Sequence, residues 1–207
     1  MLWKLLTGLL QLLFLALPIA VIWGIVWLVR RMKKWQRERY DRMAAALQGE
    51  VVRDAKGEPL YVRAGAEGAE LRVWYYREPK HLHDDHDTPK TFLIMEYVIK
   101  LGFTLFLCKD NVIFGMAEKL GAVADVEIGD PEFDKKYLIR SEEPARVVAF
   151  FENPNRRAAV NHLFLKGFRE FTVTNESVRI KKMEDMRDLK PEILQDYAAQ
   201  LKTLVVG

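Results

Sequence analysis

From Leu5 to Val29 the chain runs for 25 consecutive residues without a formal charge, most of them Leu, Ile, Val, Ala, Phe or Trp. A helix over this run is about 37 Å long at roughly 1.5 Å per residue, enough to cross a hydrocarbon core of about 30 Å with some tilt. Trp3 lies near one end and Trp23 and Trp27 near the other, where amphipathic rings favour the membrane interfaces. The pattern predicts one N-terminal transmembrane helix. A secretory signal peptide is the rival, but the apolar region of such a peptide is about 7 to 15 residues long and ends at a small-residue cleavage site. Here the run continues past Ala16 and Ala20 and stops at Arg30, so the helix is expected to be retained.

The segment after it, RRMKKWQRERYDR, carries seven basic residues between Arg30 and Arg42 against Glu38 and Asp41, while the other flank offers only Lys4. Basic residues stay on the cytoplasmic side, so the expected topology has the N-terminus outside and the C-terminal part cytoplasmic. The predicted organisation is an anchor over 1–29, a basic juxtamembrane helix over 30–48 stopped by Gly49, and a single cytoplasmic domain over 49–207. Arg30, Arg31, Lys33 and Lys34 are the candidate contacts to anionic lipid headgroups, at about 1 kcal/mol per residue near the surface. Ala16, Ala20 and Gly24 fall at i, i+4 and i+8, a narrow face of small residues with Gly8 near the same line and Pro18 close by. Such faces let helix backbones approach closely, which makes this one a candidate contact to other integral membrane subunits.

Charge excludes one class of partner. Of the 32 basic and 29 acidic residues, residues 1–42 hold 8 and 2, which leaves 24 and 27, a net −3, for residues 43–207. A mildly acidic domain is a poor match to a phosphate backbone, so no nucleic acid is expected.

The remainder reads as α+β with mainly antiparallel strands and several helices. Strands are expected at 60–63, 70–76, 91–99, 103–108, 124–128 and 135–140, separated by Gly, Pro and Asp turns. Val112 to Leu120 reads as a short helix. Ser141, Glu142, Glu143 and Pro144 form a capped, acidic start to a helix through Phe151, and Asn153-Pro154 opens another that reaches Lys166 before Gly167. FREFTVT and SVRIK alternate as a hairpin around Asn175-Glu176, and Pro191 starts a last helix with Ile193, Leu194, Tyr197, Leu201 and Leu204 on one stripe.

The densest chemistry is HLHDDHD, residues 81–87, between Pro79 and Pro89. Zinc takes three or four N, O or S ligands at about 2.0 to 2.2 Å. His81, His83 and His86 with Asp85 or Asp87 can supply such a set, and His162 is the only other histidine. A solvated polar loop has the same composition and needs no metal, so no cofactor is expected and zinc is the alternative. Cys108, the single cysteine, ends an apolar run and reads as a core residue. GAEGAE, residues 65–70, lacks the third glycine of a dinucleotide site, and Glu142 with Glu143 suits a helix N-terminus. No catalytic residue is indicated.

IGDPEFDKKYLIRSEEPARVVAFF, Ile128 to Phe151, resembles a family of bacterial single-pass membrane-anchored α+β proteins. The shared features are a Gly-Asp-Pro-x-Phe-Asp stretch leading into a strand, here Gly129 to Tyr137, and a Ser-x-Glu-Pro helix start, here Ser141 to Pro144. The resemblance implies a fold and no chemistry. The same residues read physically as structure: Gly129-Asp130-Pro131 turns the chain, Phe133 plugs the core, and Asp134 bonds its own turn. The expected function is that of an accessory or scaffold subunit of a larger bacterial inner-membrane complex, working through protein–protein contacts. A metal protein built on residues 81–87 and a lipid or small-ligand sensor at the membrane surface are the alternatives.

Overall fold

The computed structural model describes residues 2–66, 69–78, 90–109, 125–184 and 189–206, with side chains from Leu17 onward apart from that of Ala66. The HLHDDHD loop and the helix expected over 112–120 fall outside the described residues. The chain divides into two compact units, residues 1–40 and 41–207.

The first unit is the body of helix α1 (Leu2–Leu47), which ends inside the second. Among the described residues no helix is long and apolar enough to cross a membrane. The expected transmembrane anchor, and the inner-membrane localisation that rests on it, are corrected by this finding. Arg30, Arg31, Lys33 and Lys34 continue the same helix past Val29 without a break.

The second unit is built on one antiparallel sheet of eight strands in the order β1-β2-β3-β4-β8-β7-β5-β6. The strands are β1 (Glu50–Arg53), β2 (Pro59–Ala66), β3 (Ala69–Arg77), β4 (Thr91–Val98), β5 (Leu105–Lys109), β6 (Tyr137–Arg140), β7 (Phe168–Val173) and β8 (Ser177–Met183). Its helices are α2 (Pro131–Asp134), α3 (Pro144–Glu152), α4 (Pro154–Leu165) and α5 (Pro191–Val206). The α+β architecture is therefore as the residue pattern predicts, with β1 unanticipated.

One face of this sheet is the core. The register sets Val51, Val62, Val73, Met95, Ile180, Phe171, Leu107 and Ile139 side by side across all eight strands. From Val62 onward each is at most 1% exposed. Helices cover this face: Phe150 of α3 stacks on Phe171 at 6.5 Å, and Tyr197 of α5 meets the Phe168 ring edge-on at 4.9 Å. The stripe of α5 is Leu194, Tyr197, Leu201, Leu204 and Val205; Ile193, expected in it, is 37% exposed.

The Gly-Asp-Pro-x-Phe-Asp segment folds as a plug. Asp130 accepts from the Phe133 amide and pairs with Arg157 at 3.2 Å, while the Asp134 carboxylate accepts from the amides of Ile128 and Gly129. This pins Phe133, 2% exposed, against Tyr137 and Phe151 with ring centroids at 4.6 and 5.3 Å. Ser141 is not the N-cap of α3, which begins after Glu143 without a side-chain cap. Its hydroxyl donates to Thr104 O and accepts from the Glu143 amide, and the Glu143 carboxylate accepts from Thr104 N and Oγ1. The Ser-x-Glu-Pro residues thus latch α3 to the start of β5.

Gly49 plays a different part from the helix stop expected of it. Gln48 takes the left-handed conformation after α1, at φ 51°, whereas a Cβ on Gly49 would sit 2.3 Å from the Arg63 carbonyl oxygen. Close approach to β2, rather than backbone handedness, demands glycine there. Both sheet edges are blunted: β1 is four residues long with a register shift between Val52 and Arg53, and at β6 the Val126 amide donates to Ile139 O. Of the strand expected over 124–128, the described residues 125–128 show this contact and the Asp125–Arg140 bridge.

Two outcomes follow from the packing. Phe171→Ala should cost about 3–5 kcal/mol in urea unfolding, whereas Leu165→Ala, at a position 83% exposed, should stay within about 0.5 kcal/mol. Burial pushes the Tyr137 phenol up to about 12 from 10.0. Between those values only the unfolded chain releases this proton, so stability falls as pH rises through the interval. Alkaline spectrophotometric titration should show a late-ionising phenol that Tyr137→Phe removes; identical wild-type and variant curves would contradict it.

Candidate functional site

The residues singled out from sequence do not gather into one site. His81, His83, Asp85 and His86 lie outside the described residues, and among the described residues no three His, Cys, Asp or Glu side chains are placed to share a metal ion. His162 instead meets Asp196 across α4 and α5 at 2.7 Å. Ala20 and Gly24 are exposed on α1, and the side chain of Ala16 is not described. Arg30, Arg31, Lys33 and Lys34 are exposed, with Arg31 over the Trp27 ring at 5.1 Å and Lys34 paired to Glu38 at 3.8 Å. Cys108 is buried.

The face of the sheet opposite the core holds what these candidates lack. Strand side chains alternate between faces, so an inward row fixes the rows beside it. One outward row reads Glu50, Arg63, Arg72, Glu96, Arg179, Thr172, Phe106 and Arg140, from β1 to β6. The next reads Trp74, Ile94, Lys181, Glu170, Cys108 and Leu138, from β3 to β6. Where they cross the middle strands there is a concavity of about 360 Å³ lined by Trp74, Tyr76, Ile94, Glu170, Thr172, Arg179 and Lys181. Every lining residue comes from a strand.

Its charges are matched within the sheet. Arg179 donates through Nη2 and Nε to Glu96 Oε1 at 2.7 and 3.1 Å, and its guanidinium lies 5.7 Å from the Trp74 ring centroid. Lys181 Nζ sits 3.5 Å from Glu170 and 4.2 Å from the Phe92 ring centroid. Arg72, bonded to Glu70 at 2.6 Å, is held above its ordinary value by that hydrogen bond. The result is a nearly neutral surface of aromatic rings framed by ion pairs. It offers apolar area and shape.

None of the lining residues is in a short motif, which is why motif scanning passes over them. The signal lies in the alternation: Trp74 and Tyr76 at i, i+2 on one strand and Arg179 and Lys181 at i, i+2 on another are outward positions that pure core alternation does not call for. Burial makes the central ion pair asymmetric, since the Glu96 side chain is 9% exposed and that of Arg179 48%. Arg179→Ala strands a buried carboxylate, whereas Glu96→Gln leaves a guanidinium that water reaches. We expect a cost of about 2 kcal/mol for the first and about 1 kcal/mol for the second; equal losses in urea unfolding would contradict the asymmetry.

No known family profile, curated protein or solved structure matches the chain, so a functional reading rests on this geometry.

Proposed function

We propose that the chain acts through protein–protein contacts, as an accessory or scaffold component, with the open face of the sheet as its docking surface. The observation that carries this is the concavity itself, where Tyr76 is 42% exposed and Trp74 stands half-buried beside Arg179. Trp, Tyr and Arg are the residues that dominate protein interfaces, because rigid rings bury large area at small entropic cost.

Two further features favour a protein over other partners. A phosphate-rich ligand gains affinity when the protein's cations displace the counterions condensed on its phosphates, and here Arg179, Lys181 and Arg72 already face Glu96, Glu170 and Glu70. Strand addition at an edge is disfavoured by the blunted β1 and β6, which leaves the face.

A photo-crosslinking amino acid placed at Tyr76, with Leu165 as the control, tests the reading in the native cells. Adducts to a polypeptide should form from position 76 and not from 165, and Trp74→Ala should lower their yield by about tenfold or more. Absence of adducts at 76, or equal yields at both positions, would contradict it.

A further inference from the structure

We propose that the open face receives a second copy of the same chain, sheet against sheet, about a two-fold axis lying along the boundary between β7 and β8. This rests on the docking role proposed above and names its occupant.

The argument is the order of side chains across the face. The row Trp74, Ile94, Lys181, Glu170, Cys108, Leu138 takes one residue each from β3, β4, β8, β7, β5 and β6. The β8/β7 boundary divides it into two halves of three. A two-fold rotation about an axis parallel to the strands keeps each residue's position along the strand and exchanges the halves. It brings β8 onto β7, β4 onto β5 and β3 onto β6 of the other copy. Lys181 then faces Glu170 and Trp74 faces Leu138, so cation meets anion beside the axis and apolar meets apolar at the rim, while Ile94 and Cys108, 8% and 2% exposed, take no part in the contact.

The neighbouring row is compatible. Arg179 falls on Thr172, and Glu96, still held by its own Arg179 at 2.7 Å, falls on Phe106. Arg72 falls on Arg140, the one like-charge encounter, and each is neutralised in its own chain, by Glu70 at 2.6 Å and by Asp125 at 3.0 Å. Strands related in this way run nearly aligned, a favoured mode of sheet-on-sheet packing. An isologous contact of this kind closes on itself as a dimer.

The test uses the full chain, kept in a mild non-ionic detergent that shields the exposed apolar side chains of α1, and native mass spectrometry. Lys181→Glu and Glu170→Lys each set like charges together at both symmetric contacts, so each variant alone should associate about 100-fold more weakly than wild type. Mixed in equal amounts, the two should form a heterodimer, because every contact between unlike chains again pairs opposite charges although neither chain regains its internal pair. Association through α1 would be indifferent to these charges. Lys181→Glu/Glu170→Lys in one chain should dimerise as wild type does, and it guards against a single variant that fails to fold. A monomeric wild type, or a mixture no more associated than its components, overturns the second copy as occupant; crosslinking from Tyr76 to a different polypeptide would then still uphold the docking role.

Discussion

The rest of the structure depends on one transverse row of apolar side chains, Val62, Val73, Met95, Ile180, Phe171, Leu107 and Ile139, which crosses seven strands at exposures of 1% or less. Burying each is worth about 1.5–3 kcal/mol, and a one-residue slip in any strand would turn that strand's whole inward set to solvent. The row therefore fixes the register, and the register fixes which side chains stand on the other face. The proposed docking surface is thus positioned by the core, and it stands on rigid strands in place of loops.

Work is divided between the two sides. On the helical side the polar groups most suggestive of chemistry are consumed by structure: Asp130, Asp134, Ser141 and Glu143 all bond to nearby backbone or hydroxyl groups. Arg146 and Arg157 likewise donate to the carbonyl oxygens of Gly102 and Phe151. On the open side the ion pairs Arg179–Glu96 and Lys181–Glu170 brace the rings of Trp74 and Phe92. Polar groups with satisfied partners specify packing, and exposed rings between matched charges offer area to a partner.

Much of the fold was legible because its signals are local. Asn153 caps α4 by accepting from the Asn155 amide at 2.9 Å, and Thr174 closes the hairpin around Asn175-Glu176 through its amide to Ser177 O at 2.8 Å, both as their residue types suggest. β1 escaped because four residues with Val51 and Val52 half-buried carry little pattern of their own. The membrane reading came from counting uncharged residues, whereas the helix continues without a break into Arg30 and among the described residues no helix is long and apolar enough to cross a membrane. The docking face was illegible for a different reason. Trp74 and Lys181 are separated by more than a hundred residues and become neighbours only through the β3–β4–β8 pairing, a long-range fact that no window along the chain contains.

The central claim is that the open face of the sheet is a contact surface in the working protein. Hydroxyl-radical footprinting, resolved by residue and performed on the chain in its native cells and on the dilute purified chain, addresses it most directly. The account predicts that Trp74 and Tyr76 are labelled in the purified chain and protected in cells, while Leu165 on the helical side is labelled in both. Equal labelling of Trp74 and Tyr76 in the two preparations would contradict it.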